Sequence, residues 1–81
     1  MSTWHVYILR CGDGSFYTGI SPDVEARLQA HQAGKGARYT KGRGPFVLVY
    51  QESAGTQAEA TRREREVKRL TREQKQTLIR S

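Results

Sequence analysis

The sequence predicts an α+β fold, a small three-stranded, mostly antiparallel sheet flanked by about three helices. Three observations carry that expectation. The segment WHVYILRC is rich in aromatic and β-branched residues and runs directly into GDGS, a hairpin turn signal. Thr56 with Glu59, and Thr71 with Gln74, form two capping boxes, each opening a helix in the C-terminal third. The chain is 81 residues long, enough for a single domain over residues 1–81, and a domain of this size buries only somewhat more than ~60% of its unfolded surface.

Taken in order, residues 4–11 form the first strand, and Phe16 to Ile20 return beside it as the second. Ser21 is expected to cap a first helix that starts at Pro22, where a missing N–H costs nothing, with Asp23 at the positive end of the dipole. Val24, Leu28 and His31 mark one face of that helix. Residues 33–45, AGKGARYTKGRGP, hold four of the eight glycines and read as a mobile loop. They do not match a Walker A motif, whose glycines and Lys-Ser/Thr pair are absent at the required spacing. FVLVYQ, 46–51, is a third strand, apolar enough to be the central one. A second helix then runs from Gln57 to about Leu70, and a third returns Leu78 and Ile79 to the body.

Fourteen basic residues against eight acidic ones give a net charge of +6, and the distribution is uneven. Between Arg27 and Gln51 lie Arg27, Lys35, Arg38, Lys41 and Arg43 with no acid among them. Such a stretch is the electrostatic footprint of a polyanion partner, most often nucleic acid. Cys11 is the only cysteine, so neither an internal disulfide nor a zinc finger built on cysteines is available, and a reducing, cytoplasmic setting is expected. The apolar run Trp4 to Leu9 is too short to span a membrane and has no basic segment before it.

Several polar residues fall where a purely structural reading does not place them. Ala60, Glu64, Val67 and Thr71 share one helix face, which sets a carboxylate in an inward stripe, where it needs an ion-pair partner such as Lys68 or Arg63, or a metal. Tyr7 and Tyr17 lie on the two hairpin strands. A two-residue Asp13-Gly14 turn puts them on opposite faces, whereas a three-residue loop with a left-handed Gly14 pairs Tyr7 with Gly19 and puts both hydroxyls on one face. Gly19 either admits a ligand or makes a bend. Arg27 and His31 stand on adjoining lines of the first helix. Together, a cation, an imidazole, two phenols and a carboxylate suggest a phosphate site.

This ordered set resembles the GIY-YIG nuclease family, in particular its small stand-alone bacterial YhbQ-like branch and the catalytic domain of the structure-specific junction nuclease. The first motif appears as His5-Val6-Tyr7 and the second as Tyr17-Thr18-Gly19, followed by Arg27, His31 and Glu64. The segment GKGARYTKGRGPFVLVY extends the likeness over nearly the whole chain. His-Val replaces Gly-Ile in the first tripeptide, and the sequence contains no Asn, which many family members carry near the end of the domain.

The resemblance implies a GIY-YIG-like fold and a Mg²⁺-dependent endonuclease, with Mn²⁺ an alternative ion, that hydrolyses DNA phosphodiester bonds in repair or recombination. Glu64 would be the sole protein ligand of the metal, and Tyr7 would help deprotonate the attacking water. Tyr17 would hold that water or the phosphate. Because an unperturbed phenol has a pKa of ~10, Tyr7 as a base calls for nearby positive charge. Arg27 would stabilise the transition state, and His31 would position the phosphate or relay a proton. The products would carry a 5′ phosphate and a 3′ hydroxyl. Gly19, Lys35, Arg38, Tyr39, Lys41 and Arg43 are the expected nucleic-acid contacts, with DNA favoured over RNA, a monomer, and a protein partner supplying substrate specificity. The alternative is a nucleic-acid-binding module that keeps the fold without turnover; an adaptor built on the Arg-rich C-terminal helices is the third reading.

Overall fold

A computed structural model describes residues 3–81; Met1 and Ser2, at the start of the expected 1–81 domain, lie outside the described residues. The elements are β1 (Trp4–Arg10), β2 (Phe16–Ser21), α1 (Val24–Gln32), a 3₁₀ turn (Arg38–Thr40), β3 (Val47–Gly55), α2 (Gln57–Lys68) and α3 (Arg72–Arg80). All three strands are antiparallel in one open sheet of order β2-β1-β3. The α+β class and the element order therefore stand as the sequence predicts.

The centre of the sheet is β1, not β3. Val6, Tyr7, Ile8 and Leu9 are buried in succession, as a strand covered on both faces requires. Alternate residues serve separate cores. Tyr7 and Leu9 pack with Cys11, Val24 and Phe46 beneath α1, while Val6 and Ile8 pack with Ala60 and Val67 beneath α2. Each such aliphatic side chain, fully buried, contributes about 1.5–3 kcal/mol. The third strand begins one residue later than expected and runs on to Gly55, and none of its residues is fully buried: Leu48, Val49 and Tyr50 are half-buried, the positions beyond them alternate between exposed and half-buried, and Val47 is 46% exposed. An apolar run alone did not distinguish this edge strand from a central one.

The hairpin closes through three residues. Cys11 N–H donates to the Ser15 carbonyl and Gly14 N–H to the Cys11 carbonyl, with Gly14 at φ +86°. That left-handed residue is the bulge that sets the register, so Tyr7 pairs with Gly19 and Leu9 with Tyr17. Both tyrosines consequently face the α1 side of the sheet.

The start of α1 differs from the expected one. Ser21 ends β2, its hydroxyl accepts from the Asp23 N–H at 2.9 Å, and Asp23 is the cap, accepting from Ala26 N–H at 3.1 Å. Pro22 precedes the helix instead of opening it. The capping boxes at Thr56 and Thr71 form as expected. Thr71, exposed, caps α3 instead of continuing the inward face of α2.

The glycine-rich segment, expected to be mobile, is tied down. Gln32 donates from Nε2 to the Phe46 carbonyl at 2.9 Å and accepts the Phe46 N–H at 3.2 Å, joining its two ends. Arg43 bonds Asp13 across 30 residues at 2.6 Å, and Gly12 N–H donates to the Arg43 carbonyl at 2.6 Å. A Cβ at Gly12 would collide with the Gly44 carbonyl oxygen, so the hairpin tip and this loop meet backbone to backbone.

Candidate active site

The site lies on the α1 face of the sheet, where β1 and β2 supply the phenols and α1 the imidazole. The Tyr7 hydroxyl is 3.0 Å from His31 Nε2, and both residues are 1% exposed. Tyr17 packs against both, its ring 6.4 Å from that of Tyr7 and edge-on to that of His31 at 5.2 Å. Gly19 completes this wall. A Cβ there would fall 2.6 Å from the Tyr7 hydroxyl oxygen, so the pairing of Tyr7 with Gly19 demands glycine. The close approach is to Tyr7 itself, and the strand continues through Gly19 without a bend.

His31 is held at its second nitrogen as well. Nδ1 lies 2.8 Å from Thr40 Oγ1, and the Thr40 hydroxyl donates to the Ala37 carbonyl at 2.7 Å. Gly36 presses on the same edge of the ring, and any Cβ at Gly36 would overlap Nδ1. Thr40 and Gly36 escaped sequence reasoning. They lie in a segment with neither helical nor strand periodicity, and the only signal was the unusual run of glycines around a lone Thr.

Burial governs the proton affinities. Desolvation, aided by Tyr17, pushes the Tyr7 phenol up to about 12, against the opposing pull of Arg27. Tyr17 is also raised by burial, with Arg27 opposing and Glu64 reinforcing. His31 is lowered, first by burial and then by the Arg27 charge, which keeps the imidazole neutral at pH 7. Positive charge near Tyr7, the condition expected for a phenolate, is thus present in Arg27, but burial outweighs it.

Arg27 and Glu64 therefore act electrostatically on the same pair of phenols from α1 and α2. Glu64 is half-buried on α2, between the fully buried Ala60 and Val67, and among the described residues its ion-pair partner is Lys68 at 3.6 Å. Arg63, the other candidate partner, is bound to Glu52 at 3.0 Å instead. Among the described residues no three His, Cys, Asp or Glu side chains cluster to hold a metal. A single, weakly paired carboxylate suits a hard cation of the Mg²⁺ type, which keeps most of its shell as water.

The expected nucleic-acid contacts divide. Lys35, Arg38 and Lys41 are exposed. Tyr39 is 44% exposed and stacks on Tyr17, with ring centroids 5.9 Å apart and planes 23° from parallel. Arg43 lies over the Tyr39 ring at 4.3 Å and donates to the Tyr39 carbonyl, besides pairing with Asp13, so its charge is partly spent within the protein. Tyr7, Tyr17, Tyr39 and Arg43 thus form a row leading from the interior to the surface. An open cleft of about 270 Å³, lined by Phe16, Tyr17, Thr18, Tyr39, Lys68 and Lys75, adjoins that row.

The fold and this face of the sheet define the GIY-YIG catalytic domain, whose family model matches residues 3–77. The chain belongs to that family. Its similarity is to the small UPF0213 proteins: one from Staphylococcus haemolyticus is 53% identical over 79 residues, 98% of this chain and 96% of that one. A UPF0213 protein of Staphylococcus aureus is 52% identical over the same shares. Among solved structures, the solution structure of a UPF0213 protein from Bacillus halodurans has 51% identity and a TM-score of 0.60, covering 95% of this chain and 82% of that one. That of an E. faecalis protein has 38% identity and a TM-score of 0.66, covering 99% and 85%.

Proposed function

We propose that residues 1–81 form a stand-alone, Mg²⁺-dependent endonuclease that hydrolyses phosphodiester bonds in DNA, with Mn²⁺ able to substitute. The observation that carries this reading is the Tyr7–His31 hydrogen bond, a phenol facing a neutral imidazole base beside a cation and a carboxylate. Membership of the GIY-YIG family supports it.

Glu64 would hold the metal, which when bound would supply positive charge against the phosphate and favour deprotonation of the attacking water. Tyr7 accepts a proton from the attacking water as its own passes to His31, since a phenol held near 12 does not ionise unaided at neutral pH. Tyr17 hydrogen-bonds the water or a phosphate oxygen. Arg27 binds the phosphate oxygens as charge builds on them. Lys35, Arg38 and Lys41 bind flanking phosphates, Gly19 lets the strand pass close to Tyr7, and Tyr39 offers its ring to a base. Repair or recombination in the cytoplasm, a monomeric state and a partner that supplies specificity complete the proposal. Among the described residues no helix is long and apolar enough to cross a membrane.

The test is cleavage of labelled single-stranded and branched DNA with Mg²⁺, comparing wild type with Glu64→Ala. Loss of cutting in the variant is expected, and equal cutting by both overturns the assignment. A binding module without turnover is the second reading, favoured by the depth of Tyr7, which is 1% exposed. It requires salt-sensitive DNA binding, weakened in Arg38→Ala and Lys41→Ala, with no cleavage under any divalent metal.

A further inference from the structure

We propose that Thr40 is a positioning residue that fixes the tautomer of His31, so that Nε2 is the bare nitrogen and the Tyr7 hydroxyl donates to it. The inference rests on the nuclease reading for its catalytic meaning, but the tautomer itself stands on four hydrogen-bonding groups in series.

The series begins at a group that can only accept. Thr40 Oγ1 and the Ala37 carbonyl oxygen are 2.7 Å apart, a separation two oxygens hold only with a proton between them, and the hydroxyl has the one proton to give. Thr40 Oγ1 must then accept from His31 Nδ1, 2.8 Å away. The proton of a neutral imidazole is therefore on Nδ1, which leaves Nε2 as an acceptor 3.0 Å from the Tyr7 oxygen. Tyr7, with its single proton, donates. The direction runs from Tyr7 through His31 and Thr40 to the Ala37 carbonyl, and the opposite direction would leave two oxygens facing each other without a hydrogen.

The placement has a structural cause. Arg38–Thr40 is a 3₁₀ turn in which Thr40 N–H also donates to the Ala37 carbonyl, at 3.0 Å. One turn thus directs Thr40 inward, 2% exposed, while Arg38 and Tyr39 face solvent. Gly36, whose missing side chain makes room for Nδ1, lets the loop close over the ring. The segment that meets nucleic acid in the proposed function therefore also orients the imidazole.

If the tautomer were reversed, Nε2 would carry the proton and Tyr7 would have to accept from it. Tyr7 could not pass its proton to a nitrogen already holding one. The groups that titrate or carry charge around His31 are Tyr7 on β1, Tyr17 on β2 and Arg27 on α1 itself. None of them hydrogen-bonds Nδ1, so Thr40 is the group that selects the tautomer.

The experiment measures ring ¹⁵N shifts of His31 at neutral pH in the full chain for wild type, Thr40→Ser and Thr40→Val, together with the pH profile of Mg²⁺-dependent cleavage. Wild type and Thr40→Ser are expected to show a protonated Nδ1 and a bare Nε2. Thr40→Val, nearly isosteric, should populate the other tautomer and lose about 10- to 100-fold in cleavage rate, the scale on which an imidazole's orienting partner acts. A bare Nδ1 in the wild type overturns the proposal, and this readout needs neither a folded Val variant nor any activity. Cleavage by Thr40→Val at the wild-type rate and pH profile overturns the catalytic role while leaving the nuclease reading intact. A wild type that never cuts removes the nuclease reading, and the nitrogen shifts still decide the tautomer.

Discussion

Tyr7 and His31, 24 residues apart in sequence, meet through a 3.0 Å hydrogen bond inside a domain in which both are almost completely buried. Removing the phenol oxygen tests what that bond does. Tyr7→Phe should leave His31 Nε2 unpaired, cost about 1–3 kcal/mol of stability, and lower cleavage by about 10²–10⁴-fold. Urea unfolding and single-turnover cleavage measure the two effects separately. A folded variant that cuts at the wild-type rate would remove Tyr7 from the chemistry.

Gly19→Ala brings a methyl group to 2.6 Å from the Tyr7 oxygen in the middle of a paired strand. The backbone of β2 cannot yield without breaking its pairing, so Tyr7 must move. Destabilisation of about 1–3 kcal/mol is expected from such overpacking, with cleavage lost as well. A chemical-denaturation midpoint unchanged from wild type would show that the strand accommodates the methyl.

Two of the titrating sites with depressed pKa values, His31 and Asp13, separate on the pH axis. His31 is lowered from 6.5 when folded, so at pH values below about 6.5 the unfolded chain binds the extra proton more readily and stability falls, levelling off below the folded pKa. His31→Gln should remove that limb from a plot of unfolding midpoint against pH. Asp13, lowered from 3.8 to about 2 by bonds to Ser15 and then by Arg43, contributes stability above the unfolded value that disappears as pH falls from about 3.8 toward 2. Asp13→Asn should alter only this second window.

Arg38→Ala and Lys41→Ala each remove an exposed cation without touching the fold. The slope of log binding constant against log salt should flatten by about 0.7–0.9 for each phosphate that the variant no longer neutralises. Arg43→Ala should behave differently, because that side chain braces Asp13 and the Tyr39 carbonyl, and its loss should weaken loop order as well as binding. Fluorescence titrations at several salt concentrations distinguish the two behaviours.

Thr71→Ala is a control on a helix cap that takes no part in the proposed chemistry. It removes the side chain that accepts the Gln74 N–H at 3.1 Å and should cost about 1 kcal/mol with cleavage unchanged under folding conditions. A loss of activity in a fully folded Thr71→Ala protein would mean that the seating of α3, whose Lys75 lines the cleft beside Tyr17, matters for cleavage.

Local signals predicted most of the fold. GDGS marked a hairpin but left its length open, and it is the left-handed Gly14 of the structure that makes the bulged form and puts Tyr7 and Tyr17 on one face, whereas Thr56 and Thr71 marked both helix starts. Sheet order was not local. VYIL and VLVY look alike as apolar runs, and only the covering helices decide that the first is central. Ser21 misled because its hydroxyl serves the Asp23 N–H immediately before the helix, where a cap is hard to tell from a turn. Thr40 was invisible because its partner is nine residues back and its loop has no period.

The bond from Gly12 N–H to the Arg43 carbonyl joins the tip of the first hairpin to the segment that seats Thr40. With the Asp13–Arg43 pair beside it, the two loops are coupled in their opening, and neither should detach while the other stays closed. The Gly12 amide therefore serves as a clock for the histidine pocket: its hydrogen-exchange rate should report how often that pocket comes apart, without any substrate present.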